Sequence, residues 1–305
     1  MEPLESNVVA AEQLEGIGAI VRRVGWGVAD ILRKYEGAAA AGTLGIREKP
    51  DGPVTTADLV ASEYILRELR IAFGSENFGY LCEETPNQVP IPKPWVWIID
   101  PIDGTRDFIL GTGDYAVHIA LVYKGRPVVA VVVLPRAGKL YYAQRGGGTY
   151  VETRNGEKIP LHLSGGDGIL SERRFEDLCL VISRNRRHPQ WQQLLELLPK
   201  RKREYIGSIG CRIAAILEGR ADVYISLSGK SAPKDWDLAA PELILSEAGG
   251  KFTRVDGTPL RYNGVSLHQW GCLIGSNSRY HEGICDRVGV MLAQLDEPNQ
   301  LSANA

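Results

Sequence analysis

The 305-residue chain has no cysteine pair of the kind that builds a disulfide framework. Cys82, Cys179, Cys211, Cys272 and Cys285 are odd in number and scattered, with no CxxC spacing and no His/Cys cluster of zinc type. Reduced thiols in a cytoplasmic setting are the expectation. A long apolar run is missing as well. The longest, Val128 to Leu134, is closed by Pro127 and Pro135, far too short to span a bilayer, and reads as a buried strand. The opening Met1-Glu2-Pro3-Leu4-Glu5 lacks the basic and apolar segments of a secretion signal. Charge of one sign is absent too: 35 Lys and Arg stand against 37 Asp and Glu. The resulting −2 gives no global field for nucleic acid or a membrane surface, so an anionic ligand must be attracted by a local site or by bound metal. No strand is followed by GxGxxG and a helix, which argues against a dinucleotide-binding oxidoreductase. The expected partner is a small molecule, and the chain is expected to be a monomer or homodimer.

Periodicity outlines the organisation. Leu14, Ile17, Val21, Val24, Val28, Ile31 and Tyr35 recur at steps of three and four, one stripe of a first helix. Two short extended pieces around Pro50-Asp51-Gly52-Pro53 follow, then a helix starting at Thr55-Thr56-Ala57-Asp58 with Ile65, Leu66 and Leu69 buried. A proline-rich surface connection, 86–94, leads to strands at 95–99, 116–123 and 128–134. From about residue 175 strands at 178–182, 223–227 and 271–275 alternate with helices at 191–198, 208–218, with Ser208 as N-cap, 238–248 and the C-terminus. Residues 1–170 are expected to form an α+β half on a mostly antiparallel sheet, and 171–305 an α/β half stacked on it as one compact unit.

The most informative stretch is Ile98-Ile99-Asp100-Pro101-Ile102-Asp103-Gly104-Thr105. An apolar strand runs straight into two carboxylates, which repel each other unless a cation lies between them. Hard divalent cations take such oxygens, backbone carbonyls included. Pro101 stiffens the turn and Gly104 lets backbone approach a ligand closely. Glu83-Glu84 alone is most simply a solvated face. Asp58 and Asp237 alone are each explained as acids at a helix N-terminus.

As an ordered set, Thr-Thr-Ala-Asp, Glu-Glu-Thr, Asp-Pro-Ile-Asp-Gly-Thr, Trp-Asp-Leu-Ala-Ala and Glu-Ala-Gly-Gly resemble the inositol monophosphatase superfamily over roughly residues 10 to 290. The resemblance implies a layered α/β/α/β/α sandwich of the inositol monophosphatase/fructose-1,6-bisphosphatase type. It implies two to three Mg²⁺ ions, with Li⁺ or Na⁺ as inhibitors. Glu83, Asp100 and the Ile102 carbonyl would hold one ion; Asp100, Asp103 and Asp237 a second; Glu83 and Asp58 a looser third. Asp58 with Thr105 would orient and deprotonate the attacking water, and Gly104 and Thr105 would bind phosphate oxygens through their N–H groups.

Thr105-Arg106-Asp107-Phe108, Ser183-Arg184 and the Gly207-Ser208 turn are similar to the 3'(2'),5'-bisphosphate nucleotidase branch, which takes a phosphorylated nucleotide. On this resemblance Ser183, Arg184, Gly207 and Ser208 join the substrate site, and 3'-phosphoadenosine 5'-phosphate is cleaved to AMP and phosphate. Cys211 stands where that branch often has lysine; Arg212, Lys230 or Lys234 are the candidate replacements. An inositol or sugar-phosphate phosphatase, or a non-catalytic nucleotide sensor, are the alternatives.

Overall fold

The apolar run at 128–134 lies at the centre of the larger of two sheets in a computed structural model of the chain. The structure describes residues 11–50, 52–85, 88–163, 175–184, 189–199, 202–278 and 280–303. Its helices are α1 (Ala11–Tyr35), α2 (Thr56–Phe73), α3 (Thr105–Ile109), α4 (Pro189–Leu197), α5 (Ile209–Leu217), α6 (Asp235–Glu247) and α7 (His281–Ala303). The strands of the first half are β1 (Arg47–Lys49), β2 (Gly52–Val54), β3 (Phe78–Cys82), β4 (Trp95–Asp103), β5 (Ala116–Tyr123), β6 (Arg126–Leu134), β7 (Lys139–Gln144), β8 (Gly148–Thr153) and β9 (Lys158–Leu161). Those of the second are β10 (Cys179–Ser183), β11 (Lys202–Ile206), β12 (Val223–Leu227), β13 (Lys251–Arg254) and β14 (Cys272–Ser276).

β3 to β9 form a seven-stranded sheet in sequence order, antiparallel except for the β3–β4 pair. The other sheet runs β11-β10-β12-β14-β13. β1 and β2 make a separate hairpin. The inner strands of the large sheet are covered on both faces, which is why they read as unbroken hydrophobic runs. Alternate residues separate cleanly: Trp97, Ile99, Val129 and Val131 face α1 and α2, while Ile98, Ala120, Ala130 and Val132 face α5 and α6. A third core packs α4 and α7 on the far side of the small sheet. The layers are therefore α1α2, large sheet, α5α6, small sheet, α4α7, the five-layered α/β/α/β/α arrangement.

Several boundaries differ from those read in the sequence, for physical reasons. α1 buries Leu14, Gly18, Val21, Val24, Val28 and Leu32, a 3.6-residue spacing, while Ile31 is half-buried. Steps alternating three and four average 3.5 and drift off that face. β4 does not stop at Ile99 but continues through both acids to Asp103. α6 starts at Asp235 rather than Leu238. β3, β7, β8, β9, β11 and β13 have no counterpart in the sequence reading. β9 and β11 are outer strands, one containing Pro160 and the other opening Lys202-Arg203-Glu204, so neither shows the expected alternation. The expected boundary at 170/171 lies outside the described residues.

Candidate active site

The site forms where β4 ends. Two residues three apart on a regular strand point to opposite faces. Here the pairing of β4 with β5 is regular up to Asp100↔His118 and resumes, shifted, at Asp103↔Ala116. That irregularity turns the two carboxylates toward each other. Gly104 then takes φ 94°, and a Cβ there would lie 2.8 Å from the Asp114 carbonyl, so the turn into α3 needs glycine. α6 supplies Asp237, whose Oδ2 accepts the Lys234 N–H at 2.6 Å. Asp100, Asp103 and Asp237 each present an oxygen within 4.8 Å of the others. Glu83 follows β3, its N–H donating to the Ile99 carbonyl at 3.2 Å.

Second contacts hold these acids in place. Asp100 Oδ1 accepts the Ile102 N–H at 3.0 Å. Asp103 Oδ2 accepts from the Ser208 hydroxyl at 2.5 Å and the Gly210 N–H at 3.0 Å, with His118 Nε2 3.3 Å away. Asp58, buried in the first turn of α2, accepts at Oδ2 from the Thr55 N–H (2.7 Å) and hydroxyl (2.6 Å). The Thr105 hydroxyl lies 3.2 Å from Asp58 Oδ1 and 3.1 Å from the Ile102 carbonyl oxygen.

These carboxyls are held above their ordinary range. Burial, then the neighbouring Asp237, pushes Glu83 up to about 8. Burial, then Asp103, pushes Asp237 up to about 7, against the Lys234 N–H. Asp100 rises through burial and then Glu83. Burial raises Asp58 to about 6, opposed by the Thr55 hydrogen bonds. Lys49 and Lys234 offset the rise of Glu83 and Asp237 only in part, and His118, the imidazole beside Asp103, has its pKa lowered by burial. Uncompensated buried carboxylates are costly. An all-oxygen set of this kind fits hard divalent cations.

A cavity of about 440 Å³ opens above this floor, lined by Lys49, Gly52, Pro53, Glu83, Gly104, Thr105, Arg106, Asp107, Gly207, Ser231, Lys234 and Trp236. Of the expected substrate-binding residues, Gly104, Thr105 and Gly207 reach its wall. Ser183, Arg184 and Ser208 do not. The Ser208 hydroxyl is fully buried and donates to Asp103, and the Gly210 and Cys211 N–H groups at the start of α5 are taken by Asp103 and Ser208. The α5 N-terminus therefore serves a carboxylate of the floor instead of standing open to a phosphate. Arg184 is braced by Asp107, Asp114 and the Tyr205 carbonyl, because those acceptors are nearer than the cavity. Lys49, Arg106, Ser231 and Trp236 escaped the sequence reading as cavity residues, although Arg106 and Trp236 lie inside motifs it singled out.

Gly210 is wedged against this floor. A Cβ there would meet His118 Nε2 at 2.4 Å and the Ala116 Cβ at 2.8 Å. Gly210→Ala is expected to cost about 1–3 kcal/mol of stability, as overpacking of rigid neighbours does. Urea unfolding monitored by circular dichroism measures it, and an unchanged midpoint would contradict the packing described.

The sequence model of the inositol monophosphatase family matches residues 13–290. The chain belongs to that family. Its members are phosphatases, and the chain is a phosphoric monoester hydrolase of this kind. Among curated relatives, the 3'(2'),5'-bisphosphate nucleotidase CysQ of Salmonella typhimurium is 30% identical over 234 residues, 76% of this chain and 87% of that one. The 3'-phosphoadenosine 5'-phosphate phosphatase of Mycobacterium bovis is 31% identical over 213 residues, 68% of this chain and 71% of its own. Among solved structures, the extragenic suppressor protein SuhB of Bartonella henselae superposes with a TM-score of 0.73 at 24% identity, covering 90% of this chain and 98% of that one, a likeness of fold. Among the described residues no helix is long and apolar enough to cross a membrane.

Proposed function

We propose that this phosphatase hydrolyses the 3'-phosphate of 3'-phosphoadenosine 5'-phosphate, releasing AMP and phosphate. The observation that carries the reading is the contrast between floor and wall. Glu83 lines one cavity, electrostatically coupled to the clustered Asp100, Asp103 and Asp237, and Lys49, Arg106 and Lys234 stand around its side. The floor suits the cations that a reacting phosphate needs, and the wall suits a second phosphate. The names of the two curated relatives point the same way.

Glu83, Asp100 and the Ile102 carbonyl would hold one Mg²⁺, Asp100, Asp103 and Asp237 a second, and Glu83 with Asp58 a third. Bound there, such ions supply Lewis acidity, lower the pKa of water and neutralise the leaving oxygen. The protein's own groups do the rest. With its hydroxyl donated to Asp58 Oδ1, Thr105 keeps lone pairs free to accept a proton from water. Asp58 is the eventual proton acceptor, relayed through that hydroxyl. The N–H groups of Gly104 and Thr105 orient the phosphate oxygens. The residue 1–170 half supplies most of the floor and the 171–305 half supplies Asp237, one catalytic unit between them. Five free, buried cysteines suit a reducing cytoplasm, where the chain acts on a free nucleotide, with no nucleic-acid or membrane partner, as a monomer or homodimer.

The test is kcat/KM for 3'-phosphoadenosine 5'-phosphate against inositol 1-phosphate in Mg²⁺. A preference for the bisphosphate by about tenfold or more is expected, the scale of one charge-assisted contact. A preference for the inositol compound would move the chain to the inositol-phosphate branch of its family.

A further inference from the structure

We infer that Arg106 reads the second, non-reacting phosphate of the substrate and thereby sets the preference for bisphosphates over monophosphates. The inference rests on the bisphosphate reading above and names the residue that would enforce it.

Among the described residues three cationic side chains line the cavity, and two already have neighbours. Lys49 is ion-paired with Glu84, and the Lys234 ammonium sits 5.0 Å from the centre of the Trp236 ring. Arg106 is exposed, and its guanidinium makes no hydrogen bond or ion pair with any described residue. The obvious acid to neutralise it is its chain neighbour Asp107. That carboxylate is buried and already engaged, accepting from Arg184 and, at 2.9 Å, from the Thr112 hydroxyl. Arg184 thus keeps Asp107 off Arg106.

Among the described residues the other candidates for a second phosphate are engaged elsewhere, apart from Lys230, which is exposed and does not line the cavity. Arg184 braces Asp107 and Asp114. Arg212 is buried, donates to the carbonyls of Ile206 and Gly207, and lies over the Tyr224 ring. Cys211 offers only a buried thiol. Arg106 remains, one residue beyond Thr105 and hence within a side chain's reach of a nucleotide whose reacting phosphate lies at that hydroxyl. A guanidinium presents a planar fork of donors that matches phosphate oxygens two at a time. Energy from such a remote contact also helps hold the reacting phosphate in line with its nucleophile.

The experiment compares 3'-phosphoadenosine 5'-phosphate with 3'-AMP, which lacks the second phosphate, using the Mg²⁺-loaded full chain and its Arg106→Gln and Arg106→Lys variants. The wild type is expected to favour the bisphosphate by about 10- to 100-fold in kcat/KM, the range of a charge-assisted pair. Arg106→Gln should bring the ratio close to one, with the loss falling mainly on the bisphosphate, and Arg106→Lys should recover part of it. A ratio that survives Arg106→Gln, or an equal loss on both substrates, would overturn the inference while leaving the bisphosphate reading intact. A wild type indifferent to the second phosphate would overturn both. Because Arg106 is exposed and has no side-chain partner among the described residues, the variants should melt with the parent, and that measurement separates a folding defect from a lost contact.

Discussion

Chelation of divalent metal is expected to abolish turnover and, in the same sample, to make the protein less stable as pH rises. The two effects share one cause. Asp100 is buried and Glu83 and Asp237 partly so, Lys49 and Lys234 offset only part of the cost, and each carboxyl holds its proton more tightly than an exposed one does. In the metal-free state the folded protein therefore binds more protons than the unfolded chain. Their contribution to stability is full below the unfolded range of about 4 and is lost as pH climbs from there through about 7 to 8. Each unit by which a carboxyl is raised removes about 1.4 kcal/mol once it is forced to ionise. Cations that bind only the folded, ionised floor reverse this loss, so the Mg²⁺-induced gain in Tm should be larger at pH 8 than at pH 5. Asp100→Asn separates the two roles. Its kcat should fall by about 10²- to 10³-fold, the scale of removing one preorganised electrostatic group. Its metal-free Tm at pH 8 should equal or exceed the wild type's, because one repelling charge is gone. Li⁺ and Na⁺, competing for the same oxygens, should inhibit. Full activity in excess chelator, or a metal-induced Tm gain independent of pH, would remove the metal centre from this account.

How far the site was legible in the sequence depended on where each residue's partners lay along the chain. Asp100 and Asp103 were visible because their signal is local: a buried strand running into two acids cannot be an ordinary surface turn. The same locality gave the strands at 116–123 and 128–134 and the helix capped by Thr55. Glu83 and Asp237 were different. Each, taken alone, is an acid with a bland explanation, and only the order of several motifs lifted them above it. What the sequence could not reveal was competition. Arg184 and Ser208 are the residue types that bind phosphate, but whether they do so depends on Asp107, Asp114 and Asp103, which lie 70 or more residues away in the chain. Arg106 carries the opposite lesson: it stood in a motif read only for its likeness to a branch of the family, and the fold then showed which carboxylate it lacks.

The second large effect is expected from Asp58 and Thr105, which lie 47 residues apart and are joined by a 3.2 Å contact between the Thr105 hydroxyl and Asp58 Oδ1. A threonine hydroxyl is no base by itself, and its usefulness to an attacking water depends on a carboxylate that takes the proton onward. Asp58 is suited to that place because its other oxygen is fixed by the Thr55 N–H and hydroxyl, leaving Oδ1 for Thr105. Its burial raises it to about 6, a stronger base than a free aspartate yet still ionised near neutrality. Nearby cations favour the charged form, so the acid limb of the kcat profile is expected at or below about 6. Thr105→Ala and Asp58→Asn should each lower kcat by about 10²-fold or more, the usual contribution of a positioned base. The double variant should be scarcely worse than either single one, because groups acting in series are lost together. Thr105→Ser keeps the hydroxyl and should keep most of the rate. Losses that multiply in the double variant would mean that the two residues act independently. In that event Thr105 would be a phosphate ligand alone and Asp58 a support for the first turn of α2.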